Sequence, residues 1–81
     1  MINFRSYAET LLKEYDMCCH ARTAVNAVDI QIEKDSCAKF ATVLNNNLVW
    51  GSDNDIAEAC YQLEPRLKKL KEKLIIDVLS S

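Results

Sequence analysis

The sequence predicts an α+β domain: a helix, a three-stranded antiparallel meander, and a long C-terminal helix kinked or broken near Pro65. Three observations predict it. Apolar residues recur at steps of three and four at both ends of the chain, as on one face of a helix. In the middle, Val28-Asp29-Ile30-Gln31-Ile32-Glu33 alternates apolar and polar, the pattern of a half-buried strand. Turn-forming residues then divide the rest of that middle segment into short runs of strand formers. The competing reading is all-α, with residues 17–46 helical and a helical hairpin around Gly51.

The first helix is expected at about residues 3–20. Phe4, Tyr7, Ala8, Leu11, Leu12, Tyr15, Cys18 and Cys19 share its inner face. Ser6 and Glu9 have the spacing of a capping box, with Asn3 as the other candidate cap. The first strand is 28–33, where the apolar residues would scatter around a helical wheel. Lys34-Asp35-Ser36 supplies a turn. Lys39-Phe40-Ala41-Thr42-Val43-Leu44 reads as the second strand, with Phe40, Thr42 and Leu44 on one face. Asn45-Asn46-Asn47 can reach the positive φ of a tight hairpin, and Leu48-Val49-Trp50 forms a third strand ending at Gly51.

Ser52 or Asp53 caps the last helix, and Asp55 sits near its positive end. Ile56, Cys60, Leu63, Leu67, Leu70, Leu74 and Val78 form its apolar stripe, which stays in phase across Pro65. Proline is tolerated at the first turn of a helix and disruptive inside one, so it either kinks this helix or starts a second. The three strands would make a sheet only about 20 Å long. An unbroken helix over 53–79 would be about 40 Å. The end of the stripe, at Leu70, Leu74, Ile75, Val78 and Leu79, is therefore expected to overhang the sheet as exposed apolar surface for a partner.

At 81 residues the chain is one domain, 1–81, with a modest core. Its formal charge of −2 is unevenly spread. Residues 1–64 carry ten acids and five bases, and residues 65–81 carry five bases and two acids. An acidic body argues against wrapping nucleic acid and suits a basic partner. The start of the chain is amphipathic at once, without the apolar core of a signal peptide, and no apolar run reaches the roughly 20 residues that cross a bilayer. A cytoplasmic protein is expected, and its four cysteines (Cys18, Cys19, Cys37 and Cys60) are expected as reduced core residues.

The chemical motifs are sparse. Cys18-Cys19-His20 offers zinc-ligand types, but adjacent cysteines lack the C-x2–4-C spacing that lets two ligands bite from one turn. On a helix His20 points away from both thiols, so it cannot serve them as a base. There is no glycine-rich phosphate loop, no G-x-S-x-G and no H-E-x-x-H. No metal, cofactor or catalytic residue is assigned.

The element order is similar to that of the double-stranded-RNA-binding domain, over residues 4–74. That family places a lysine-rich helix start on RNA. The matching stretch here is Ser52-Asp53-Asn54-Asp55-Ile56-Ala57-Glu58, which is acidic. The resemblance therefore implies the fold, with protein binding in place of RNA binding.

These observations predict a non-enzymatic protein-interaction module of the inhibitor, adaptor or immunity type. Its candidate partner-binding residues are Trp50, Asp53, Asp55, Leu70, Leu74 and Val78, with homodimerisation through the C-terminal helix as one outcome. The alternative is nucleic-acid binding through Arg66, Lys68, Lys69, Lys71 and Lys73. Membrane binding is not expected.

Overall fold

The computed structural model describes residues 3–21 and 27–80, with side chains to residue 75. It contains three helices: α1 (Phe4–His20), α2 (Ala27–Trp50) and α3 (Asp53–Ser80). Among the described residues there is no strand. The expected α+β meander is overturned, and the all-helical alternative has the right class. With the strands goes the likeness to the double-stranded-RNA-binding domain, which rested on them.

α1 forms as its spacing predicts. Asn3, rather than Ser6, is the cap: its side-chain oxygen accepts from the backbone N–H of Arg5 (3.1 Å) and Ser6 (3.3 Å). The helix buries Ala8, Leu11 and Cys18, with Phe4, Tyr7, Leu12 and Tyr15 packed partly against the core. It ends where the Ala21 N–H turns back to the Cys18 carbonyl at 3.2 Å.

α2 absorbs everything assigned to the meander. Both supposed turns, 34–36 and 45–47, lie inside it. Its buried face is Ile30, Cys37, Ala41 and Leu44, with Leu48 partly buried, at helical steps of seven, four, three and four. The step of seven hid the stripe. The core-facing turn between Ile30 and Cys37 carries Glu33 and Lys34 in place of apolar residues. Each finds a partner on another helix: Glu33 accepts from Lys73 Nζ at 3.1 Å, and Lys34 Nζ donates to the Cys19 carbonyl at 3.5 Å. The apparent alternation at 28–33 arises because Ile30 faces the core while Val28 and Ile32 face outward.

Two residues join α2 to α3. The Gly51 N–H donates to the Asn47 carbonyl at 2.8 Å. Ser52 then caps α3 in a capping-box arrangement: its Oγ accepts from the Asp55 N–H (3.3 Å), and Asp55 Oδ2 accepts from the Ser52 N–H (3.0 Å). α3 is one continuous helix through Pro65. At 1.5 Å per residue its 28 residues span about 42 Å, the long dimension of the molecule. Its stripe is the centre of the core: Ile56, Cys60, Leu63, Leu67 and Leu70 are fully or almost fully buried, and Leu74 is nearly so. Each such leucine contributes about 1.5–3 kcal/mol of burial.

The cross-helix contacts fix an up-down-up bundle. Phe4 meets Tyr61, Tyr7 hydrogen-bonds Glu64, and Glu14 pairs with Lys71, so α1 runs parallel to α3 in constant register. Asn47 reaches the Asp55 carbonyl and Glu33 reaches Lys73, so α2 runs antiparallel to α3. Arg5 reaches the Leu48 carbonyl (2.9 Å) and Lys34 that of Cys19, so α2 is antiparallel to α1 as well. There is no short sheet for α3 to overhang. α1 and α2 accompany it instead and cover Leu70 and Leu74.

Candidate functional site

α2 carries apolar residues on two opposite faces. The inner one is core. The outer one carries Val28, Ile32, Val43 and Trp50, spaced four, eleven and seven apart, all multiples of a helical turn to within a fraction of a residue. Their exposures are 75%, 58%, 45% and 87%. Single exposed aliphatics are ordinary, but an aligned row ending in a tryptophan is a surface that gains by being covered.

Beside this row lies the groove between α2 and α3, of about 570 Å³, lined by Ile32, Ser36, Phe40, Pro65, Arg66 and Lys69 among others. Arg66 shapes its floor. The guanidinium stacks over the Phe40 ring at 4.2 Å, and its Nη1 donates to Ser36 Oγ at 2.7 Å. Nearer the α2–α3 turn a second, smaller depression is lined by Val43, Asn47 and Ala59 among others. Apolar side chains at both ends of an exposed helix face, beside a shallow groove with a fixed cation, are the form of a protein-contact surface.

The residues singled out from sequence fall in two groups. Trp50 and Asp53 stand exposed at the α2–α3 turn. Asp53 lies 3.9 Å from Arg5 Nε, a loose ion pair, and Asp55 is engaged in the cap of α3. Leu70 and Leu74 are elsewhere: they lie in the core, so they pack within the chain rather than against a partner. The side chains of Val78 and Leu79 lie outside the described residues. Val28, Ile32 and Val43 read as strand residues in the sequence and were not among the partner-binding candidates. Their spacing was present, but it carries meaning only once 27–50 is read as one helix.

The basic residues of the tail do not form a single stripe. Arg66, Lys69 and Lys73 lie on the α2 side of α3, and Lys68 and Lys71 on the α1 side. Lys71 pairs with Glu14 at 2.6 Å, Lys73 with Glu33, and Arg66 is stacked. The positive tail thus meets the acidic body inside the molecule. Lys68 and Lys69 have no ion-pair partner among the described residues.

The thiols are packing groups. Cys18, Cys37 and Cys60 are buried and Cys19 half-buried, all unbridged. Burial raises the pKa of Cys18 and Cys60. It pushes Cys37 up to about 11, with the Glu33 carboxylate adding to the effect. These three are therefore neutral thiols near pH 7, not thiolate nucleophiles. His20 is exposed, its Nδ1 2.8 Å from the Asp16 carbonyl oxygen of its own helix. Among the described residues no three His, Cys, Asp or Glu side chains come together as a metal-holding group, and no helix is long and apolar enough to cross a membrane.

Compared with known proteins, the chain matches no family model, no curated protein and no solved structure.

Proposed function

We propose that this protein is a non-enzymatic interaction module, of the inhibitor, adaptor or immunity type, that acts by binding a protein through the outer face of α2. The observation that carries the reading is the exposed row Val28, Ile32, Val43 and Trp50 on a helix whose opposite face already fills the core. The bundle does not need these side chains for its own packing, and leaving them in water has a cost that a partner would remove. Trp50 is the anchor, because large aromatic side chains supply most of the binding energy at such surfaces. Asp53, the first residue of α3 just past the α2–α3 turn, keeps an exposed carboxylate at the rim and favours a partner with a basic edge. Four cysteines that pack as single thiols suit a reducing compartment, and the cytoplasm is the compartment proposed.

The test is a tagged capture from source-cell lysate, with half of each sample nuclease-treated. Wild type is run beside the double variant Ile32→Lys, Val43→Lys, whose helical content is checked by circular dichroism. The expected result is a stoichiometric protein that survives nuclease and is lost with the double variant. Capture that depends on nucleic acid, or that the two lysines leave intact, overturns the reading.

A further inference from the structure

The outer face of α2 carries a pattern that specifies more than an apolar partner. Its centre is charged. Asp35 and Lys39 are one turn apart, both exposed, and in line with the apolar row. Asp35 accepts a neutral hydrogen bond from Gln31 Nε2 at 2.9 Å, and neither charge has an ion-pair partner among the described residues. Ile32 lies just to the N-terminal side of this charged pair, and Val43 one turn to its C-terminal side.

That order is self-complementary when reversed. If two α2 helices cross antiparallel about a two-fold axis level with residue 37, facing residues have numbers that sum to 74. Asp35 then faces Lys39 of the second copy, and Lys39 faces its Asp35, so one axis makes two equivalent ion pairs. Ile32 and Val43 sum to 75, within one residue's rise of facing each other, so each ion pair is flanked by an apolar contact. A shift of a few residues breaks the arrangement: an axis level with residue 39 sets Lys39 against Lys39, and one level with residue 35 sets Asp35 against Asp35. The charges therefore select the register as well as the partner.

We infer that the occupant of the α2 face is a second copy of this chain, in an antiparallel α2–α2 pair held by reciprocal Asp35–Lys39 bridges. This rests on the reading of that face as a contact surface and names what covers it. A single pair of helices of 24 residues makes an interface at the small end of the stable range, so the dimer forms reversibly with concentration.

Sedimentation equilibrium from micromolar to near-millimolar protein tests it. Wild type is expected to pass from monomer to dimer mass. Lys39→Asp and Asp35→Lys each set like charges at the centre and are expected to weaken association at least about tenfold. An equimolar mixture of the two single variants restores opposite charges across the axis and is expected to recover a dimer. All three proteins should keep wild-type helical content, since both positions are exposed. A wild type that stays monomeric, or single variants that associate as wild type does, overturns the proposal. A monomeric wild type whose lysate partner is still lost with Ile32→Lys, Val43→Lys removes the second copy alone and leaves the contact surface standing. A charge-dependent dimer with unaffected lysate capture keeps the second copy on this face and removes a separate protein partner from it.

Discussion

At Gly51 the space open to one atom governs how tightly α2 and α3 can be joined. A Cβ built there would lie 2.8 Å from the Asn47 carbonyl oxygen and 3.0 Å from its Cα, both backbone atoms that cannot swing away. The same carbonyl accepts the Gly51 N–H, so relieving the clash would weaken the bond that closes α2. Gly51→Ala is expected to lower stability by roughly 1–3 kcal/mol, the usual effect of forcing atoms into filled space, measured by denaturant unfolding. Ser52 beside it was legible as a cap, because a hydroxyl residue before an acidic first turn is a local signal. Glu33 and Lys34 were not legible. Their partners, Lys73 and the Cys19 carbonyl, lie 40 and 15 residues away, and nothing local marks a charged residue at a core-facing turn as satisfied.

Element by element, α1 and α3 could be read because each has one apolar face, and a single face gives a clean period. α2 could not, because its apolar residues lie on two opposite faces and blur into an alternation that imitates a strand. Three consecutive asparagines strengthened the imitation, although all three lie within the helix and Asn47 uses its amide to reach the Asp55 carbonyl. The candidate site shared this fate. Trp50 and Asp53 were singled out beside Gly51 as partner-binding candidates, whereas Ile32 and Val43 were hidden by the wrong period. In α3, Pro65 has no N–H to give the Tyr61 carbonyl, yet the helix runs on, with Pro65 and Tyr61 both on its exposed side. Proline inside a helix costs about 3 kcal/mol against alanine. Pro65→Ala is therefore expected to stabilise the protein by about 1–3 kcal/mol, seen as a higher melting temperature with unchanged helical content.

On the scale of the whole molecule, α1 and α2 both pack on α3, in a body 42 × 23 × 17 Å. The uneven charge of the sequence becomes cohesion between helices, through Glu14–Lys71 and Glu33–Lys73. These half-exposed pairs orient the helices and add at most about 1 kcal/mol each. What holds the bundle is the inner face of α2 against α3, and what the bundle offers outside is the opposite face. Both the core and the contact surface depend on that division. Ile30 and Ile32 test it most directly, as neighbours of one residue type on opposite sides of it, 1% and 58% exposed. The measurement is the unfolding free energy of Ile30→Ala and Ile32→Ala in dilute protein, where the monomer alone is weighed. The two-faced helix predicts a loss of about 2–5 kcal/mol for Ile30→Ala and less than about 0.5 kcal/mol for Ile32→Ala. A strand would set both residues on one face, so equal losses at the two positions would contradict the account.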